Sequence, residues 1–227
     1  MKSIIRYSLI LMIIACSTMA FAQYAAHGVK GGLTIGTQRW NGQDREALFS
    51  YNAAYVFESY TSSNKFSYLV ELGYHVKGSA VRTNYNDLAG NSRQITTRNK
   101  FGQAGLLLGA KSLLDVEFAG GNVYYMIAGR LEYTVMDSIE TIANLSRYIN
   151  RINYGITVGG GLEFKLADKI LGFIEVQISP DFSQQIFMPP GNYIANYAGN
   201  TVLVQFQEQK VMNTVVEITA GFKFQRY

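Results

Sequence analysis

The sequence predicts an all-β chain: an eight-stranded antiparallel up-and-down transmembrane β-barrel of the outer-membrane type. Three observations lead there. Apolar and polar residues alternate with period two over long runs, the signature of strands with one greasy and one wet face. The 22 Gly, 16 Tyr and 13 Phe outweigh 3 Pro and 1 Trp, a balance that suits a wall with aromatic belts and a crowded interior. The links between runs are mostly long and short in alternation, as in bacterial barrels with long outer loops and short inner turns. The body of the chain holds no apolar run of the roughly 18 or more residues that a membrane-crossing helix needs.

Residues 1–22 read as a signal peptide, set apart from a barrel domain over 23–227. Lys2 and Arg6 form a basic start, Leu9 to Ala15 an apolar segment, and Ala20-Phe21-Ala22 a small-x-small cleavage site. A second reading takes Ile13-Ile14-Ala15-Cys16 as a lipobox, with Cys16 acylated. Cleavage after Ala22 removes the single Cys, and disulfide and thiol chemistry with it. It also removes Lys2 and Arg6, taking the formal charge from +4 to +2. That is too little to argue for a nucleic-acid partner.

The elements follow in order. Strand one, about 27–38, turns Val29, Leu33 and Ile35 outward and Lys30, Gly32, Thr34 and Gly36 inward. Strand two, about 49–58, shows Phe49, Tyr51, Tyr55 and Phe57 outward and Ser50, Asn52 and Glu58 inward. Strand three, 66–77, has Phe66, Tyr68, Val70, Leu72, Tyr74 and Val76 outside and Glu71, Gly73, His75 and Lys77 inside. A polar stretch, 78–99, reads as a loop before strand four, 100 to about 111. Leu107 breaks the pattern of that strand, and the link 112–121 has no assignable place. Strand five, 122–134, carries Arg130 and Glu132 inside. Strands six and seven form a hairpin over 151–179 around the turn Ala167-Asp168-Lys169, each arm longer than the roughly 9–11 residues of a tilted spanning strand. Ile152, Tyr154, Ile156, Val158, Ile174, Val176 and Ile178 face out, and Glu163, Lys165, Glu175 and Gln177 face in. A loop over 180 to about 208 precedes the last strand, about 211–225, with Glu217, Thr219, Gly221 and Lys223 inside.

Aromatics sit at the ends of the outward faces and aliphatics between them, as in Tyr125-Ile127-Tyr133 and Tyr154 to Phe164. Interfacial girdles explain that placement, and a secreted barrel with an apolar interior does not. The chain is therefore expected to be integral to the bacterial outer membrane, with outer-membrane lipid as its surroundings.

The inward faces supply the candidate site. Lys30, Glu58, Glu71, His75, Lys77, Arg130, Glu132, Glu163, Lys165, Glu175, Glu217 and Lys223 converge on a lumen that side chains of eight strands just fill. Opposed charges spread over all strands fit a paired plug better than a localised acid/base site. His75 near Glu71 and Ser79 invites a hydrolase reading. Some eight-stranded lipid-A deacylases carry His-x-Ser on one strand, but here Lys77 stands two residues after His75. Zinc, calcium and phosphate-loop patterns are missing, so no cofactor or metal is expected. Gly159-Gly160-Gly161 lies inside a strand and relieves packing there.

Two loops stand out. Asp137-Ser138-Ile139-Glu140 opens a stretch that can cap a short amphipathic helix, and its first three residues resemble a bacterial O-glycosylation acceptor. The loop after strand seven presents Phe187, Met188, Tyr193 and Tyr197, either as a partner-contact surface or as a lid on the barrel mouth.

The mature chain resembles the PorT-like outer-membrane β-barrel family of Bacteroidota. The resemblance rests on Ala20-Phe21-Ala22-Gln23, the opening Gly28-Val29-Lys30-Gly31-Gly32-Leu33 and the ending Ala220-Gly221-Phe222-Lys223-Phe224. It implies an eight-stranded barrel, some relatives of which serve the type IX secretion system. One departure concerns the terminal assembly signal: Tyr227 is aromatic, but Phe222 and Phe224 have the opposite parity. The expectation is a non-enzymatic structural or accessory subunit whose partner is another envelope protein. A small passive pore and a lipid-modifying enzyme are the alternatives.

Overall fold

The computed structural model describes residues 24–41, 45–61, 65–86, 92–139, 146–197 and 200–226. The signal-peptide and Cys16 readings lie outside them. Eight strands close a ring: β1 (Tyr24–Arg39), β2 (Glu46–Tyr60), β3 (Phe66–Asn86), β4 (Ser92–Phe118), β5 (Gly121–Ile139), β6 (Ile152–Ala167), β7 (Ile170–Pro180) and β11 (Gln209–Arg226). Each is antiparallel to its neighbours, and β1 pairs with β11 from Ala25 opposite Arg226 to Arg39 opposite Met212. Closure leaves no free edge on the ring, the condition for crossing a bilayer with strands. The expected strand count and up-and-down order hold.

The closing seam explains part of the opening motif. A Cβ on Gly28 would collide with the carbonyl oxygen of Phe222, and one on Gly32 with that of Ile218. Only residues without a side chain let β1 approach β11 this closely.

The strands run longer than their alternation predicts. The stretch 78–99, read as a loop, is mostly β-hairpin, because β3 continues to Asn86 and β4 starts at Ser92. Apolar residues are too sparse there, Val81 and Ile95 among them, to mark this extension beyond the apolar belt. The unplaced link 112–121 is the end of β4 and a two-residue turn, with Phe118 opposite Gly121. Ala119 and Gly120 both have positive φ, 50° and 78°, the geometry that matches strand twist in a tight hairpin. All three links on the side of the termini are thus short, which removes one of two misfits in loop alternation, the link after strand four; the other, the modest first loop between Arg39 and Glu46, stays. Of the helix expected from Asp137 onward, Asp137, Ser138 and Ile139 belong to β5 instead, and its body lies outside the described residues. Beyond residues 140–145, outside the described set, stands a short 3-10 turn, Ser146–Tyr148.

The segment read as one long loop contains β8 (Ile186–Met188), β9 (Gly191–Tyr197) and β10 (Asn200–Phe206). β8 pairs with the start of β11, and β9 with β10 as a separate hairpin.

The outward faces are apolar, with Val29, Leu72, Leu108, Ile127, Leu131, Val158, Ile174, Val176 and Ile178 exposed around the middle. Tyr68, Phe118, Tyr125, Phe222 and Phe224 gather toward the short-turn end, and Phe49, Tyr51, Tyr133, Tyr154 and Phe182 toward the other. Val76, read as outward, is buried where the β2–β3 register slips between Ala47 and Asn52. A closed ring with a wet interior, an apolar waist and two aromatic girdles is the architecture of an integral outer-membrane β-barrel.

Candidate functional site

The inward faces build a stack of side-chain layers. The layer beside the short turns is a square of alternating charge. Lys223 Nζ lies 2.6 Å from Glu58 Oε2 and 2.5 Å from Glu163 Oε2. Lys111 faces the same two carboxylates, 3.2 Å from Glu58 Oε1 and in direct contact with Glu163. Tyr60 donates its hydroxyl to Glu58 over 2.8 Å, and the Lys111 amine sits 3.9 Å from the centre of the Tyr124 ring. Each buried charge meets two of opposite sign, which offsets the cost of drying it.

An apolar layer follows: Val56, Leu69, Leu107, Met126, Ala128 and Phe173. Leu107 broke the sequence alternation for this reason; it points into the barrel and packs there. Above it, the Lys30 amine lies 2.7 Å from both Glu71 and Glu175. Tyr124 and the Gln177 amide donate to the two oxygens of Glu175, over 2.9 Å and 2.7 Å.

The third charged layer centres on His75. Its Nε2 is 2.8 Å from Glu132 Oε1 and its Nδ1 2.9 Å from Glu217 Oε1. Lys77 lies 2.6 Å from Glu132 and 3.2 Å from Asp181. Arg130 holds Glu132 at 2.9 Å and also contacts Asp181. A cavity of about 50 Å³ lies between this layer and Lys30, enough for water.

Amides and hydroxyls close the stack toward the loops. Asn213 donates to Asp181 over 2.9 Å, Ser79 to Gln38 over 2.8 Å, and Gln103 to Gln185 over 2.5 Å. Over them lies a second apolar cluster, Trp40, Phe101, Ile186, Met188 and Val211. Residues 181–188 therefore form a strap folded inward across the mouth, held by Asp181, Gln185, Ile186 and Met188, all buried.

Of the twelve residues read as a lumen network, the structure places eleven inside the barrel: Lys30, Glu58, Glu71, His75, Lys77, Arg130, Glu132, Glu163, Glu175, Glu217 and Lys223. Lys165 lies outside it. Its side chain is 65% exposed and its amine pairs 2.9 Å from Asp168 in the adjoining turn, because β6 has by then run past the end of the lumen. Asp168, in water, has its carboxyl held below the usual range by that hydrogen bond and by the charge of Lys165. Two members were missed. Lys111 shares the parity of Gln103, Gly105 and Gly109, and Asp181 that of Glu175, Gln177 and Ser179. Carrying period two past the assumed end of strand seven finds Asp181, and applying it to the last residue of the assumed strand four finds Lys111.

Of the four residues read as a contact loop, Phe187 alone is described as exposed. Met188 is corrected: its side chain is buried in the mouth cluster, since alternation in β8 sends Ile186 and Met188 inward. The backbones of Tyr193 and Tyr197 belong to β9, and their side chains lie outside the described residues.

Neither a known family model nor a curated protein matches the chain by sequence. Among solved structures it is similar to the outer membrane protein OprG from Pseudomonas aeruginosa, at 12% identity, 89% of this chain, 96% of that one and a TM-score of 0.48. It is similar to the outer membrane protease OmpT from Escherichia coli at 8% identity, with 91% and 98% covered and a TM-score of 0.43. A third likeness is to Ail, the attachment invasion locus protein of Yersinia pestis, at 10% identity, 88% and 99% covered and a TM-score of 0.38.

Proposed function

We propose that this chain is a non-enzymatic barrel serving an envelope or secretion assembly as a structural or accessory subunit, through its outer wall and its loops. The observation that carries this reading is the lumen. Three charged layers, an apolar layer and an inward strap fill the path from one end to the other. Buried charges that satisfy one another in this way leave little free polar surface along the path. The same layers count against the passive pore. Against the hydrolase, Ser79 gives its hydroxyl to Gln38 and not to His75, and both ring nitrogens of His75 face carboxylates. Catalysis by a nucleophile and its base needs the pair that is missing from this contact set. The resemblance of the opening and closing segments to PorT-like barrels points the same way.

Mild purification from the native outer membrane, with mass spectrometry of co-eluting proteins, tests the reading. A stoichiometric envelope partner supports it. A protein that elutes alone and conducts steadily in planar bilayers overturns it in favour of the pore. Lipid A altered by deletion, and restored by the wild type but not by His75→Ala, overturns it in favour of the enzyme.

A further inference from the structure

We infer that the closed lumen stores two protons, one on His75 and one on Glu71, and that the first latches the strap across the mouth. The inference rests on the charge balance of the interior and not on the accessory role.

In the square beside the short turns, Lys111 and Lys223 match Glu58 and Glu163. The two layers above do not balance. Glu71 and Glu175 share Lys30, and Glu132, Glu217 and Asp181 stand with two fixed cations, Lys77 and Arg130. Strands β2, β4 and β6 bring uncharged groups to this space, Asn52, Gly105 and Thr157 among them. Among the described residues, five carboxylates therefore meet three fixed cations there. Holding two uncompensated charges in a dry interior is so costly that buried groups take up protons instead.

Geometry assigns both protons. His75 has a carboxylate oxygen at each ring nitrogen, that of Glu132 2.8 Å from Nε2 and that of Glu217 2.9 Å from Nδ1. A neutral imidazole has one N–H and would leave its bare nitrogen against one of those oxygens. The imidazolium suits both. The second proton falls to the carboxylate with the fewest donors. Glu175 receives Lys30, Tyr124 and Gln177. Asp181 receives Lys77, Arg130 and Asn213. Glu217 receives His75 and the Thr34 hydroxyl, and Glu132 meets Lys77, His75 and Arg130. Glu71 has Lys30 as its one donor among the described residues, and it borders the water-sized cavity.

The latch follows from where the carboxylates sit. Glu132 and Glu217 belong to ring strands β5 and β11, whereas Asp181 lies just past the end of β7, in the strap. Lys77 and Arg130 serve Glu132 and Asp181 together. When His75 loses its proton, the layer gains negative charge and Glu132 draws harder on the two shared cations. Asp181 is the carboxylate that can leave, and the strap leaves with it. Rising pH therefore loosens the mouth.

The folded protein in detergent micelles allows three tests. The sequence has two histidines, so nitrogen-15 NMR of His27→Gln reads His75 alone. Both ring nitrogens are expected to carry hydrogen at about pH 8, where an ordinary histidine of pKa about 6.5 is neutral. A single protonated nitrogen at that pH overturns the inference. Glu71→Gln replaces one neutral group by another, so its urea midpoint is expected to match wild type at neutral pH, while Glu175→Gln lowers it. A Glu71→Gln midpoint as low as that of Glu175→Gln overturns the second proton. For the latch, chymotrypsin has sites at Phe182 and Phe187, and His75→Gln lacks the charge at every pH. The wild-type cleavage rate divided by that of His75→Gln cancels the protease's own pH profile. That ratio is expected to lie well below one in acid and to climb toward one with the NMR midpoint of His75, by at most about tenfold per pH unit for one proton released. A flat ratio overturns the latch. The NMR reading leaves His75 in place, so it decides the first proton even where His75→Gln does not fold.

Discussion

Lys223 on β11 and Glu58 on β2 meet at 2.6 Å across 165 residues of sequence, with β1 between their strands. The contact exists only once β1 has paired with both, so it reports closure of the ring. Lys111 and Glu163, from β4 and β6, complete the same square. Lys223→Met leaves two buried carboxylates sharing one lysine. A loss of about 3–5 kcal/mol is expected from such an uncompensated buried charge, read as a lower urea midpoint for loss of the heat-modifiable band. Lys223→Met/Glu58→Gln recovers part of it. An unchanged midpoint in the single variant would show that the square contributes nothing.

The seam itself offers a sharper contrast. Gly32→Val drives a side chain into the Ile218 carbonyl, and relaxation must move backbone. The variant is expected to stay unfolded in detergent refolding. Gly129→Ala is the matched control, because a Cβ there meets nothing within 4 Å. Its stability is expected to stay within about 1 kcal/mol of wild type. If both refold alike, close approach is not what the seam glycines supply.

The mouth strap is anchored at one end by the polar contacts of Asp181 and at the other by the apolar packing of Ile186 and Met188. Met188→Ser removes one apolar member of the Trp40–Phe101–Ile186–Val211 cluster, a change that costs about 2–5 kcal/mol in a packed core. The cost falls locally, on a segment tied to the ring by the β8–β11 pairing and by single bridges from Gly155 to Asp181 and from Ile149 to Ile186. Limited proteolysis of the outer face is expected to cut within 181–188 faster, while the urea midpoint of the ring holds. A fall in both would mean that strap and ring unfold as one unit.

Lys165→Ala tests where the lumen ends. An exposed pair with a turn carboxylate contributes little, so the urea midpoint is expected to match wild type at neutral pH. The depressed Asp168 carboxyl contributes stability above its unfolded pKa and loses it as pH falls through the folded value. Any small difference from Lys165→Ala therefore vanishes in acid. A large loss at neutral pH would place Lys165 back among the interior charges.

What the sequence revealed followed where one face met lipid. Tyr125, Ile127 and Tyr133 against Arg130 and Glu132 gave period, face and depth at once, because lipid and a charged lumen impose opposite demands. Outside the belt that contrast fades. Around Arg82, Thr96 and Arg98 only Val81 and Ile95 interrupt the polar residues, so the β3–β4 extension looked like a loop. The same parity rule, not applied to Lys111 at the end of strand four and stopped at Pro180 before Asp181, missed two interior charges; run too far, it took in Lys165. Met188 was unreadable for another reason. Its burial depends on β8 folding back onto the start of β11, a tertiary event with no periodic trace in a three-residue strand.

Redundancy of the layers sets the final expectation. Lys30→Ala/Glu71→Ala/Glu175→Ala clears the middle charged layer without stranding a charge within it. The apolar layer of Val56, Leu69, Leu107, Met126, Ala128 and Phe173 stays below, and the Lys223 square lies beyond that. Ions crossing it would shed their hydration against hydrocarbon, a cost of many kcal/mol. Planar-bilayer recordings of the triple variant are expected to remain silent. Adding Met126→Ala and Phe173→Ala opens the dry layer and is expected to give a small, noisy conductance. Steady current from the first triple variant would mean that the apolar layer does not seal, and the case against a pore would fall with it.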